Sequence, residues 1–239
     1  MKDHEVVEAF VAHLAANGYP GLCVDKWPER ENRKSPDIEA IAGQFAIEHT
    51  SIDTLPNQRG KSHWFMRAAG ELEKELPKLP YRLNITLEYD AITKGQDWGA
   101  IRETLKTWVI ENCPQLPDGR YTLENLPGIP FQLRVKKQTD RPPRIIFGRI
   151  APEDKSLPGR ISQQLDSKIK KLEPYQEGGF ITVLLIESED IALMNEVKML
   201  DAIRNAYPGG LPPSVGEIWY VDTSIPSEIE FRDFTELVK

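Results

Sequence analysis

The longest strongly apolar run in the chain is Phe180–Ile186 (FITVLLI), and its shortness constrains what the chain can build. A bilayer-crossing helix needs roughly 20 apolar residues, so no membrane span is expected. The run is flanked by Ile161–Leu172 and Ile191–Ala206, which carry apolar residues at helical spacing. Phe180–Glu187 therefore reads as a buried strand between two amphipathic helices. Helical patterns also cover 3–17, 58–76 and 98–110. Strand patterns cover 81–89, 129–137, 144–150 and 217–221, with a short candidate at 21–27 and a hairpin over 37–50. The expected class is α/β, with Pro-rich breaks at 114–117 and 208–213 acting as loops.

A chain of 239 residues can bury one large core or two small ones, and its 40% hydrophobic content excludes disorder as the main state. The reading is a single α/β domain over 1–239, with a candidate core in 1–90 and further α/β elements in 91–239. The net charge of −7 argues against a protein that coats nucleic acid over its whole surface. It leaves room for local basic groups, because salt confines each charge to about 8–10 Å. Three such groups stand out: Arg59, Lys61 and Arg67; Lys168, Lys170 and Lys171; and the stretch from Arg134 to Arg149, which includes Lys136, Lys137 and Arg144. The start of the chain, MKDHEVVEAF, lacks the pattern of a signal peptide. Cys23 and Cys113 are distant from each other, so a reducing, cytoplasmic setting is expected.

The hairpin carries the chemistry. Side chains alternate along a strand, so Ala46, Glu48 and Thr50 share one face while Phe45, Ile47 and His49 share the other. A turn at Ala42-Gly43 sets Asp37 opposite Glu48, and a turn at Gly43-Gln44 sets Asp37 opposite Thr50. Either register puts both carboxylates on one face. The apolar side then collects Ile38, Ala40, Phe45 and Ile47. Like charges facing each other in a sheet repel; a divalent cation removes that repulsion, and wet, solvent-facing acids avoid it.

Pro36-Asp37, ten intervening residues, then Glu48-His49-Thr50 resembles the motif of the PD-(D/E)XK, or restriction-endonuclease-like, nuclease superfamily. The resemblance implies an α-β-β-β-α-β core, with a mixed sheet flanked by helices and an elaborated middle or C-terminal half. It also implies Mg²⁺-dependent (or Mn²⁺-dependent) hydrolysis of DNA or RNA phosphodiesters, with Asp37 and Glu48 as metal ligands. An acid on the first helix often joins such sites, and Glu8, beside the stripe of Val7, Phe10, Val11 and Leu14, is preferred to Glu5. The motif lysine is replaced by Thr50. Lys61 or Arg59 supplies the cation if 58–76 is the core helix; Lys168 supplies it if 161–172 is, with 52–155 largely an insertion. Arg59, Arg67, Lys136, Arg144 and Lys168 are candidates for backbone phosphates. Many members of the superfamily are dimers, so a homodimer is among the expected assemblies. The alternative is a catalytically inactive module that keeps the fold and binds nucleic acid or a protein. The sequence has no glycine-rich phosphate loop, paired metal-ligand spacing or nucleophile elbow.

Overall fold

The computed structural model describes residues 2–31, 37–190 and 192–238, so Pro36 of the motif lies outside the described residues. The chain forms two compact units: Met1–Pro56 with Asp154–Lys239, and the intervening Asn57–Glu153. Unit 1 begins with helix α1 (Asp3–Ala16), the short α2 (Pro28–Glu31), and strands β1 (Ala40–Ala42) and β2 (Phe45–Ser51). Unit 2 follows with α3 (Gln58–Phe65), a π-turn over Met66–Gly70, α4 (Leu72–Glu75), β3 (Arg82–Glu88) and α5 (Trp98–Asn112). It closes with β4 (Gly119–Leu123), β5 (Leu133–Gln138) and β6 (Arg144–Ile150). The chain then returns to unit 1 for α6 (Leu157–Glu177), β7 (Ile181–Ser188), α7 (Glu196–Ala206), β8 (Glu217–Asp222) and β9 (Glu230–Asp233). Among the described residues, no helix is long and apolar enough to cross a membrane.

Both units are α/β, each with a mixed sheet and flanking helices. The unit 1 sheet has the order β1-β2-β7-β8-β9, and β2 pairs in parallel with β7. A parallel pair needs a long crossover, and α6 supplies the helix that leads into β7. The sequence reading had offered residues 58–76 and 81–89 as an equivalent helix and strand. Those residues close a separate sheet, of order β4-β5-β3-β6, over their own core of Leu83, Ile85, Leu105, Val109 and Leu133. The 21–27 strand contracts to one bridge, Lys26 with Ile41.

In unit 1 the hairpin pairs Ala42 with Phe45 and Ala40 with Ile47, so the turn falls at Gly43-Gln44. Gly43 has φ +54°, a left-handed conformation that glycine adopts without a Cβ penalty. Strands β2 and β7 are buried on both faces. Phe45, Ile47, Val183 and Leu185 meet Val7, Phe10 and Val11 of α1. Ala46, Leu184 and Ile186 meet Ile161, Leu165 and Ile169 of α6 and Met199 of α7. By strict alternation, Glu48 and Thr50 face α6 and His49 faces α1. Ile38 departs from the expected apolar set and joins the α6 side, because the chain bends at Glu39 and β1 begins only at Ala40.

Unit 2 buries one cation from the basic stretch. Lys137 is 6% exposed. Its Nζ donates to the carbonyls of Cys113 (3.0 Å), Pro114 (3.1 Å) and Leu116 (2.7 Å), and it sits 4.2 Å from the centre of the Tyr81 ring. This lysine ties β5 to the end of α5 and is withdrawn from any role at the surface. Lys137→Ala is expected to lower stability by about 2–4 kcal/mol, since it leaves buried carbonyls without a donor. Urea unfolding checks this, and a loss under about 0.5 kcal/mol contradicts it.

Candidate functional site

Glu48 has no exposed surface. A buried carboxylate is tolerated only when paired and hydrogen-bonded, and α6 meets that demand. Lys168 Nζ lies 2.6 Å and Lys171 Nζ 3.1 Å from Glu48 Oε1, while the Glu39 backbone N–H donates to Oε2 at 3.1 Å. Lys171 also reaches Glu29 at 3.4 Å. Burial alone would lower the Lys171 pKa, but the Glu48 and Glu29 contacts outweigh it and hold the ammonium above its ordinary value. Glu39 is raised as well: burial, then the neighbouring charge of Glu29, lifts its carboxyl pKa.

Asp37 faces the same helix. Its Oδ1 accepts from its neighbour's backbone N–H (Ile38, 2.8 Å) and from the Tyr175 hydroxyl (2.7 Å). Its Oδ2 accepts no hydrogen bond among the described residues. Burial and the Asp37 carboxylate together push the Tyr175 phenol up to about 12. Thr50, at the motif's lysine position, accepts from Gln164 Nε2 at 2.9 Å, and the same amide donates to the Ser51 carbonyl at 2.9 Å. Beside Asp37 opens a cavity of about 650 Å³ lined by Ser167, Lys170, Lys171, Pro174, Tyr175 and Phe180.

The two carboxylates singled out from the sequence therefore share a face, and of the cations weighed for the motif position, Lys168 is the one in contact with Glu48. Lys61 lies in unit 2, 2.6 Å from Asp90, and Arg59, Arg67, Lys136 and Arg144 are also unit 2 residues. Glu8 is not brought to Asp37 and Glu48. It is exposed on α1, whose apolar stripe covers the opposite side of the sheet. The sequence reading did not single out Gln164 or Tyr175, and took Lys171 only as part of a basic group. With Lys168 they form a polar stripe at helical spacing along α6 (164, 168, 171, 175), beside the apolar stripe of Ile161, Leu165, Ile169 and Leu172. That stripe was the available signal.

On the α1 side, His49 Nε2 lies 3.2 Å from Glu187 Oε2, and Nδ1 lies 4.0 Å from Asp3 Oδ1. Burial raises the Glu187 pKa, but the contacts with His49 and Thr223 prevail and hold it below the ordinary carboxylate range. These three residues bring ligand atoms within 4.8 Å of one another, a group a divalent ion can bridge.

Asp37 and Glu48 offer carboxylate oxygens, the ligand type that a hard cation such as Mg²⁺ prefers. Among the described residues, Asp37 Oδ2 accepts no hydrogen bond and Glu48 Oε2 carries a single amide donor of the two it can accept. The lysines occupy the other Glu48 oxygen. No family model matches the chain, and no curated protein or solved structure matches it either.

The Tyr175–Asp37 bond makes a spectroscopic prediction. The tyrosinate absorbance that Tyr175→Phe removes should titrate near 12 in the parent protein and at lower pH in Asp37→Asn. Because the folded-state pKa is raised, the stability this bond confers is present below pH ~10 and lost as pH rises through about 12. An unaltered titration in Asp37→Asn removes Asp37 as a cause.

Proposed function

We propose that unit 1 is a restriction-endonuclease-like module that hydrolyses phosphodiester bonds of nucleic acid with the aid of Mg²⁺ or Mn²⁺. The observation that carries this reading is the 2.6 Å contact between Lys168 and Glu48, on the face that also holds Asp37. It supplies, from the crossover helix, the ammonium that Thr50 cannot. The order of elements in unit 1 supports the reading too: a helix, a hairpin, then a helical crossover to a parallel strand. Cys23 and Cys113 are both free, in keeping with a reducing, cytoplasmic setting.

In this reading Asp37 and Glu48 would hold the ion, which would acidify a water and polarise a phosphoryl oxygen. The protein's own groups do the rest. Lys168 and Lys171 fix the Glu48 carboxylate and place positive charge where phosphate charge develops. Tyr175 donates to Asp37 and holds its rotamer, leaving Oδ2 free. Lys170 and Ser167 line the adjoining cavity and offer a cation and a hydroxyl to the backbone of the substrate.

One observation favours a second reading. Glu48 is fully buried, with two lysines on Oε1 and a backbone amide on Oε2, as a structural strut in a non-catalytic binding module would be. Cleavage decides between the two. The parent protein, with Mg²⁺ or Mn²⁺, is expected to cut at least one of single-stranded, double-stranded or branched substrates. Glu48→Gln and Lys168→Ala should each lose roughly 10²–10³-fold while circular dichroism shows retained secondary structure. Asp37→Asn, at a less buried position, should lose activity similarly. No cleavage of any form, or undiminished cleavage by Glu48→Gln, overturns hydrolysis in favour of the binding module.

A further inference from the structure

The sheet of unit 2 has two unlike faces. Leu83, Ile85, Leu133, Val135 and Phe147 point into the core beneath the helices. Alternation sends the intervening residues to the other side, and none of Arg82, Arg120, Arg134, Lys136 or Arg144 belongs to a core cluster. The acid among them, Glu88, pairs with Arg134 at 2.8 Å. Arg82, Arg120, Lys136 and Arg144 make no ion pair among the described residues.

Their register sharpens the point. Arg120 lies directly across from Lys136, and Arg82 directly across from Arg144. Like charges facing one another on adjacent strands are destabilising, and here they occur twice without a counter-charge. The two pairs run from edge strand β4 to edge strand β6, a span of about 15 Å at the usual strand spacing. Residues that bind nothing gain from dispersing such charges.

We propose that this face is a binding surface for the phosphate backbone of single-stranded nucleic acid. Three features select that partner. Three of the four unpaired cations are arginines, whose planar fork suits phosphate oxygens. The central strand presents Asn84 and Thr86 between them, and β6 adds the half-buried Ile146 and Ile150, without the aromatic anchor on which protein interfaces are built. No aromatic ring on this face offers a base a stacking platform, so recognition runs through the backbone and tolerates any sequence. A flat sheet face also lacks the projecting helix or ribbon that enters a duplex groove. The surface stands apart from hydrolysis, because it uses none of the residues around Glu48.

The test is fluorescence anisotropy of the full chain with a labelled 20-nucleotide oligo-dT in EDTA, so that hydrolysis plays no part in the readout. Four contacts at roughly 0.7 each give a log K against log salt slope of about −3. Lys136→Glu with Arg144→Glu is expected to weaken binding at least tenfold at low salt and to flatten the slope by about half. The milder Lys136→Gln with Arg144→Gln should move both in the same direction, and a melting temperature that does not fall separates the effect from misfolding. The proposal fails if the parent protein does not bind, if the variants keep its affinity and slope, or if a duplex of equal length binds as tightly. Displacement of the oligonucleotide by polyglutamate at equal charge concentration would assign the face to acidic proteins and also overturn it.

Discussion

A carboxylate buried in the middle of a sheet obliges the chain to bring a cation to it. Glu48 sits on β2, between the hairpin partner β1 and the parallel neighbour β7, with no exposed surface. Removing one partner of such a buried pair typically costs about 3–5 kcal/mol. This requirement fixes the rotation of α6 over the sheet: its apolar stripe fills the core while Lys168 and Lys171 must reach Glu48. The same rotation carries Gln164 to Thr50 and Tyr175 to Asp37. One electrostatic constraint thus organises both ends of the site.

The two faces of β2 serve different chemistry because neighbouring residues point in opposite directions. Glu48 and Thr50 meet the lysines and amide of α6. His49, between them in sequence, meets Glu187 and Asp3 beside α1. The expectation that His49 points away from the carboxylate face follows from this period and agrees with the observed placement. The arrangement also explains why an acid on α1 cannot join Asp37 and Glu48: the sheet lies between them.

Much of the secondary structure was legible in the sequence. Helix α1, strand β6 and the apolar core of β7 fall where periodicity sets them, and the hairpin takes one of the two registers the turn residues allow. The missed elements are the four-residue helix α2 and the short strands β4 and β9 (GRYTL and EFRD), which lie on the edges of their sheets. The basic stretch of 134–149 divided in a way composition does not reveal. Lys137 turned inward to backbone carbonyls while Lys136 stayed on the opposite face, because adjacent strand residues alternate sides.

By itself the sequence determined the α/β class, the positions of the main elements and the face of β2 that Glu48 takes. All three follow from local periods of 2 and 3.6 residues. Only the tertiary structure decided which helix crosses over to the strand beside β2, and so which side chains complete the site. Lys171 lies 123 positions from Glu48, and Tyr175 lies 138 from Asp37. Two helix-and-strand pairs in this chain were locally equivalent candidates for the crossover. The choice between them rests on which apolar stripe and which cations match the buried face of β2, a complementarity that exists only once the chain has folded.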